Sequence, residues 1–376
     1  MEDEAGQSGQ STTSRSSRLR SSTAQKKDSN MITIDAAVLE AERLHAAHPP
    51  GPRSRNSPGW VVKRSGWNIA FLSVLAAAVM ATSVGCTASS HPTRPAAIGV
   101  ASSGAAMEAL IDRPGPVEVE TVVGADWAVS RAGLINLDAP AAKAAHLTDG
   151  DEPIQIFVHV LRHPTRGTFL VDTGVTRQLV EDPSGAGVSW VVKKAMHLEK
   201  LKVRTDTATL LRREPPLAGV LLTHLHLDHV SGMRDVPHGT PIYAGPGETT
   251  DRAFINLLVR GTIDNMLAGQ EPVGALLFNA DPSGNFAGVL DLFGDGTVFA
   301  ISVPGHTVGS VAYLVRTPKG PVLLTGDTCH TRWGWDHGVE PGSFSSDRAQ
   351  NAASLANLRA LVARHPSIDV RLGHQR

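Results

Sequence analysis

The side chains best suited to chemistry lie together in the segment Thr223-His224-Leu225-His226-Leu227-Asp228-His229. The apolar run just before this segment predicts a strand. On an extended chain His224, His226 and Asp228 would point the same way, because side chains alternate with a period of two. His229 would point elsewhere and can serve a second position if the chain turns there. Imidazole and carboxylate groups are metal ligands, so this spacing predicts a metal site at the end of a strand.

The composition limits the classes of protein to which the chain can belong. Its 376 residues include 35 Lys+Arg and 36 Asp+Glu, for a formal net charge of −1, so no excess of positive charge favours nucleic acid as a partner. The 2 cysteines, Cys86 and Cys329, exclude a disulfide scaffold and a cysteine-based zinc finger. Histidine is abundant, with 16 residues, and this number fits either metal ligands or scattered surface residues.

The elements that must position these histidines are visible from Val117 onward. Short apolar runs between Gly, Pro and Asp turns predict strands. They are 154–161, 168–171, 219–222, 298–303, 311–315 and 322–325. Apolar residues at helical spacing predict helices at 188–200, 250–267 and 347–365. Strands in pairs with interleaved helices predict two sheets covered by helices, in one domain that spans residues 116–376.

The chain before this domain divides into three segments of different composition. Residues 1–60 are polar and interrupted by prolines, which predicts a disordered tail or a misassigned start of translation. Residues 61–86 combine basic residues, an apolar run and small residues, the pattern of a secretory signal of the lipoprotein type. Residues 87–115 are rich in Ala, Ser, Gly and Pro and predict a flexible linker.

The signal segment ends in Ser83-Val84-Gly85-Cys86, which is similar to a bacterial lipobox, whose cysteine becomes the lipidated first residue of the mature protein. The same apolar run is long enough to span a bilayer, so a transmembrane anchor is the alternative. Both interpretations predict an exported protein that is anchored to the membrane of a bacterial cell envelope. Because a signal normally begins at the N-terminus, we also predict that translation starts near Val61 or Val62.

From Val117 to Arg376 the chain resembles the metallo-β-lactamase superfamily, whose signature is His-x-His-x-Asp-His after a strand. Four further motifs match this family in the same order. They are Phe169-Leu170-Val171-Asp172-Thr173-Gly174, Pro304-Gly305-His306-Thr307, Leu324-Thr325-Gly326-Asp327-Thr328 and Arg371-Leu372-Gly373-His374. The resemblance implies an α/β fold of the αβ/βα sandwich type, in which two mixed β-sheets are flanked by helices in four layers.

The resemblance also implies a role for seven residues as metal ligands. The ligands of one metal ion would be His224, His226 and His306. The ligands of the second would be Asp228, His229 and His374. Asp327 would bridge both ions. These ligand types favour Zn²⁺, two per chain, and are also compatible with iron or manganese. A hydroxide between the metals would attack an ester or lactone carbonyl, and Asp228 would guide a proton to the leaving group.

The motif set is closest to the N-acyl-homoserine lactonase-like branch, because true β-lactamases have Cys or Ser where this chain has Asp327. The resemblance therefore implies a metal-dependent hydrolase of a small ester or lactone, with the apolar helix 250–267 lining an acyl pocket. Such lactonases place a substrate-binding tyrosine three residues after the bridging aspartate, where this chain has His330, and we predict the same role for His330. The alternatives are an organophosphate, phosphoester or β-lactam hydrolase on the same scaffold, and a non-catalytic metal-binding lipoprotein.

Overall fold

The computed structural model describes residues 87–253 and 255–376. The predictions for the tail at 1–60 and for the signal segment at 61–86, including the lipidation of Cys86, lie outside these residues. Across the two described ranges, the helices are all too short or too polar to cross a membrane.

The strands of the described chain form two mixed sheets. They are β1 Thr93–Pro95, β2 Val100–Ser102, β3 Glu118–Ser130, β4 Asp151–His163, β5 Gly167–Val171, β6 Lys202–Val203, β7 Leu217–Leu221, β8 Ile242–Ala244, β9 Val273–Ala275, β10 Gly288–Asp291, β11 Val298–Ser302, β12 Val311–Thr317, β13 Gly320–Leu324 and β14 Asp369–Arg371. The first sheet has eight strands in the order β1-β9-β8-β7-β5-β4-β3-β6, and the second has six in the order β14-β13-β12-β11-β10-β2.

Helices cover the outer faces of both sheets. The α-helices are α1 Gly104–Ile111, α2 Arg131–Leu134, α3 Pro140–Ala144, α4 Gln178–Glu181, α5 Trp190–Ala195, α6 Thr207–Leu211, α7 Leu227–Val230, α8 Asn256–Met266, α9 Arg332–His337 and α10 Arg348–Arg364. Short 3-10 turns are present at Leu198–Lys200, Met233–Asp235, Glu248–Thr250 and Gly326–Thr328. The helices that were predicted at 188–200, 250–267 and 347–365 correspond to α5 with the first 3-10 turn, α8 and α10.

The alternation of apolar side chains explains how the layers stack. In β12 the side chains of Val311, Tyr313 and Val315 enter the core between the two sheets, where strands of the first sheet contribute residues such as Phe169. The intervening side chain of Leu314 enters the core between the second sheet and its helices. Because successive side chains of a strand point to opposite faces, β12 is buried on both sides. The predicted four-layer αβ/βα sandwich of two mixed sheets is thus confirmed.

The prediction of a flexible linker at residues 87–115 is wrong. Within this segment β1 pairs in parallel with β9 and β2 pairs antiparallel with β10, so one strand is added to the edge of each sheet. Ser103 caps the N-terminus of helix α1, because its side chain accepts a hydrogen bond from Ala106 N, and the helix buries Met107 and Ile111. The composition was misleading because alanine favours helices, and because strands of three residues are enough to cover a sheet edge.

A buried histidine in β4, which is not among the predicted ligands, provides a test of the fold. His159 accepts a hydrogen bond at Nδ1 from Thr121 Oγ1 at 2.8 Å, and Thr121 Oγ1 in turn accepts one from Arg371. Burial, assisted by the charge of Arg371, lowers the pKa of His159 from 6.5 to about 3. Between these two values the unfolded chain binds more protons than the folded chain, so stability is lost as the pH falls.

We expect His159→Asn to reduce this loss, because the asparagine oxygen can replace Nδ1 as an acceptor and does not titrate. Between about pH 7 and about pH 4 the wild-type free energy of unfolding should fall by about 3 kcal/mol more than that of the variant, as measured in urea. The exposed His238→Asn serves as the matched control and should follow the wild type. Parallel pH curves for His159→Asn and the wild type would contradict the assignment.

Candidate metal centre

The predicted ligand residues all follow the C-terminal end of a strand. Residues 224–229 follow β7, His306 follows β11, Asp327 follows β13 and His374 follows β14. Strands β11, β13 and β14 run in the same direction, so their ends meet at one edge of the second sheet. The loop before His306 requires glycine at position 305, where φ is +134°. A side chain there would place its Cβ 2.1 Å from the backbone nitrogen of Asn351 in helix α10.

The structure brings all seven predicted ligands together in two groups, and in each group the candidate ligand atoms lie within 4.8 Å of one another. The first group is His224, His226, His306 and Asp327. The second group is Asp228, His229, His374 and Asp327. The two groups share Asp327, and this is the grouping that the family resemblance implied.

The histidines of the first group, the three-histidine group, are held by the segment after β7 and by the loop after β11. His226 Nδ1 lies 2.9 Å from His306 Nε2. Asp327 Oδ2 lies 3.5 Å from His306 Nε2 and 3.7 Å from His224 Nε2. These nitrogen and oxygen atoms converge on one small volume, which is what ligands of a single ion must do.

The second group, the two-histidine group, has a similar geometry around the other side of the shared carboxylate. Asp327 Oδ2 lies 3.3 Å from His229 Nε2 and 3.2 Å from His374 Nε2. His374 Nε2 also lies 3.2 Å from Asp228 Oδ2. The side chain of Asp228 is 13% exposed and that of Asp327 3%, so Asp228 is the more accessible of the two carboxylates.

Buried polar atoms test whether a cation fits these groups. His224 Nε2, His229 Nε2 and Asp327 Oδ1 are fully buried, and they lack a hydrogen-bond partner among the residues that the structure describes. An unpaired buried polar atom is costly, so such atoms in a native fold need an explanation. Ligation of metal ions by these imidazole nitrogens and this carboxylate oxygen would satisfy them. The residues present therefore fit a centre of two cations.

The electrostatics of the centre also fit cations. Burial opposes the ionisation of Asp327, but His374, His229 and His330 together hold its pKa well below its usual range. Burial likewise opposes the ionisation of Asp228, and His229 and His374 lower its pKa. Both carboxyl groups are therefore charged at neutral pH. Burial lowers the pKa of His306, which favours the neutral form that ligates metals.

Asp172 is a functional residue that the sequence analysis did not identify, because its Asp-Thr-Gly motif was interpreted only as part of the family resemblance. It follows β5 with a φ of +55°. Its carboxylate accepts hydrogen bonds from His229 Nδ1 at 2.8 Å and from Thr223 N at 2.8 Å. A carboxylate on the outer nitrogen of a ligand histidine fixes the ring and its tautomer, so that His229 Nε2 is directed at the centre.

Glu248 is a second residue that the sequence analysis missed, since nothing in the sequence around it marks a site. Its buried carboxylate accepts hydrogen bonds from Leu225 N at 2.8 Å, from Gly309 N at 2.9 Å and from Thr307 Oγ1. Leu225 lies between the ligand residues His224 and His226 in the segment after β7, and Thr307 directly follows His306. Burial raises the pKa of Glu248 to about 7. This one side chain therefore joins the two loops that supply the three-histidine group.

His330, the predicted substrate-contacting residue, is buried beside the shared carboxylate. Its Nε2 lies 3.0 Å from Asp327 Oδ2, and its Nδ1 donates to the carbonyl oxygen of Leu134 at 3.1 Å. Its ring stacks on that of His374 with 5.4 Å between centroids. Cys329, the preceding residue, is buried in the core between the second sheet and its helices, and burial raises its pKa to about 12.

Two segments border the centre. Helix α8 packs against α7, the short helix that carries Asp228 and His229. The segment after Asp327 contains α9 and returns to the centre at its end, where Ser345 Oγ lies 3.2 Å from His306 Nδ1. Its neighbour Phe344 is 42% exposed, with its ring centroid 6.4 Å from that of His330.

The chain is similar to known proteins in sequence and in fold. The profile of the Metallo-beta-lactamase superfamily matches residues 151–374. N-acyl homoserine lactonase AttM of Azorhizobium caulinodans is 29% identical over 221 residues, which cover 57% of this chain and 80% of that protein. Gamma-lactamase MBL2 of Gibberella moniliformis is 32% identical over 143 residues, which cover 35% of this chain and 59% of that protein. The crystal structure of a probable metal-dependent hydrolase from Staphylococcus aureus superposes with a TM-score of 0.51 and 11% identity, covering 70% of this chain and 91% of that one.

Proposed function

Because the chain belongs to the metallo-β-lactamase superfamily of metal-dependent hydrolases, we propose that it is a dinuclear zinc hydrolase that opens the ester bond of a lactone. The favoured substrate class is an N-acyl-homoserine lactone, whose hydrolysis would quench quorum signals. The observation that carries this proposal is the pair of ligand groups that share Asp327. A site that only stored metal would need neither the shared carboxylate nor the accessible Asp228 beside it.

When bound, two zinc ions would supply an acidified water as nucleophile and would polarise the substrate carbonyl. His224, His226 and His306 would hold one ion. Asp228, His229 and His374 would hold the other, and Asp327 would contact both. As water adds to the carbonyl carbon and the ring C–O bond breaks, the leaving oxygen needs a proton. Asp228 is the carboxylate with access to solvent, and we assign it the transfer of that proton.

The surroundings of the centre support an apolar substrate. Val308, two residues after His306, is 49% exposed, and Phe344, near His330, is 42% exposed. These two side chains offer apolar contacts for an acyl chain. The near-neutral net charge of −1 gives no advantage to a polyanionic substrate. The relative from Azorhizobium caulinodans is named as a lactonase for this substrate class.

The test is metal analysis of the purified protein combined with a substrate panel. The panel contains homoserine lactones with short and long acyl chains, a phosphotriester and nitrocefin. We expect zinc at two equivalents and fastest turnover of an acyl lactone. Faster turnover of the phosphotriester would contradict the lactone substrate and favour an organophosphate hydrolase, and faster turnover of nitrocefin would favour a β-lactam hydrolase. Two bound zinc ions without hydrolysis of any substrate would favour a metal-binding protein that is not an enzyme. Iron or manganese in place of zinc would show that the proposed metal is wrong.

His330 gives a separate prediction about the same reaction. Its Nε2 is within hydrogen-bond distance of Asp327, where a substrate carbonyl would approach. We expect His330→Ala to lower kcat/KM about tenfold, the cost of one hydrogen bond to a charged group, while zinc content stays at the wild-type level. His238→Ala, at an exposed position outside the centre, should have wild-type kinetics. Unchanged kinetics for His330→Ala would contradict the role, and loss of zinc would make His330 a ligand instead.

A further inference from the structure

The chain enters the described domain along helix α8. Ala88 N donates to the carbonyl oxygen of Asp251 at 3.0 Å. Ser89 Oγ and Ser90 Oγ then donate to the two carboxylate oxygens of Asp264, each at 2.6 Å. Ala88 is only 6% exposed. The first described residues are therefore held against α8 and against the loop before it, and they do not extend away from the domain.

This entry point is close to the metal centre. Asp251 Oδ2 accepts a hydrogen bond from Ser346 Oγ at 3.3 Å. Ser346 N in turn donates to the carbonyl oxygen of His306 at 2.9 Å. Two hydrogen bonds thus separate Asp251, the partner of Ala88, from a ligand residue. The first described residues therefore lie near the metal centre.

The same rim carries exposed apolar side chains that we call the apolar edge. Ile255, Leu257 and Leu258 are 47%, 49% and 45% exposed, and they lie at the start of α8. Helix α5 packs against α8, and its Trp190 is 76% exposed. Clustered exposed apolar side chains mark interaction surfaces, and tryptophan is typical of the boundary between lipid and water.

The sequence immediately before this point is suited to lipid. Residues 67–84 are almost entirely apolar, and Cys86 is two residues before Ala88. Two residues of fully extended chain reach at most about 7 Å. A lipidated Cys86 would therefore lie within about 7 Å of Ala88, and a membrane-spanning segment that ended at Val84 would lie within about 14 Å of it.

From these observations we propose that the apolar edge lies directly on a lipid bilayer, with the metal centre opening beside the membrane surface. The flexible linker that the composition suggested would have let the domain rotate freely. The observed pairing of residues 93–95 and 100–102 with the two sheets removes that freedom. Residues 88–90 are bound to α8 and to the loop before it, and the apolar edge is at the start of α8, so an anchor that ended at Cys86 and the apolar edge would contact the same bilayer.

The test places a photo-crosslinking amino acid, p-benzoylphenylalanine, at Leu257 of the full chain produced in bacterial membranes. A second variant carries it at Leu258, in case the first does not fold. The matched control position is Val100, which is 56% exposed. Val100 lies beside Gly294, in the turn between β10 and β11. The same turn accepts a hydrogen bond at Phe293 O from Arg166, which directly precedes β5. Asp172, which binds the ligand His229, follows the other end of β5, so Val100 is on the side of the domain away from the metal centre.

Illumination followed by mass spectrometry should give several-fold more phospholipid adducts at Leu257 or Leu258 than at Val100. Equal yields at both ends of the domain would overturn the proposal, because they would show a freely rotating domain. Adducts at none of these positions, or a chain that is released from membranes by a salt wash, would overturn it as well. Crosslinking does not require turnover, so a protein that shows this contact but hydrolyses nothing would refute the proposed function alone.

Discussion

Asp327→Asn is expected to lower kcat/KM by about 10³-fold or more and to reduce the zinc content below two equivalents. Asp327 is shared by both ligand groups, so the substitution removes a charge from each. It also places an amide where His330 Nε2 and His374 Nε2 now face a carboxylate at 3.0 Å and 3.2 Å. Loss of metal-based stabilisation of the transition state is worth several kcal/mol, and each 1.4 kcal/mol corresponds to about tenfold in rate.

The control for this variant is Asp138→Asn, which makes the same chemical change at a side chain that is 81% exposed. Metal content by plasma emission and turnover of the best lactone should be measured on the same samples, together with circular dichroism to verify folding. A folded Asp327→Asn protein with full zinc and with turnover within a few-fold of the wild type would remove the shared carboxylate from the mechanism.

Glu248→Ala is expected to weaken the three-histidine group selectively. The substitution leaves Leu225 N and Gly309 N buried without their acceptor, at a cost of about 1–3 kcal/mol each. It also disconnects the β7 loop from the loop of His306. Groups that orient ligands typically change metal affinity by about 10–100-fold, and we expect a loss in that range for one of the two metal equivalents. Glu248→Gln keeps an acceptor for Gly309 N and should fall between alanine and wild type.

Asp172→Asn is the matched comparison, because Asp172 binds the ring of His229 in the two-histidine group directly and reaches His224 of the other group only through Thr223. Calorimetric titration of the metal-free protein with zinc should show two binding steps. The two variants should each weaken one step, and in the cobalt-substituted protein they should change different bands of the visible spectrum. A variant that merely destabilised the fold would weaken both steps together. If Glu248→Ala and Asp172→Asn gave the same titration curve, the assignment of one supporting residue to each group would be wrong.

Much of the centre was predictable because its ligands lie in local patterns. Residues 224–229 carry four ligand-type side chains just after a strand. That spacing can be recognised in the sequence without any tertiary information. His306, Asp327 and His374 are single residues, which only the order of the family motifs identified. Their convergence depends on β11, β13 and β14 pointing the same way, a property of the sheet and not of the segments around them.

The supporting residues and the N-terminal strands were not predictable for a related reason. Glu248 acts on backbone amides at Leu225 and Gly309, and backbone amides have no sequence signature. Strands β1 and β2 are three residues long, too short for a period of two to be recognised. Their partners β9 and β10 lie more than 150 residues later in the sequence. The pairing that stabilises β1 and β2 therefore cannot be inferred from the sequence of residues 87–115 alone.

The pairing of β1 with β9 and of β2 with β10 has a consequence for the order of folding. A chain made from its N-terminus must hold residues 93–102 unpaired until residues 273–291 have been synthesised. Bringing β1 to β9 and β2 to β10 closes long loops, and the entropic cost of this closure is offset only when the strand contacts form. Both sheets therefore keep an open edge until these strands dock, and open edges are where chains associate wrongly. Docking of the first strands would be among the last steps of folding, and it would protect the nascent domain from aggregation.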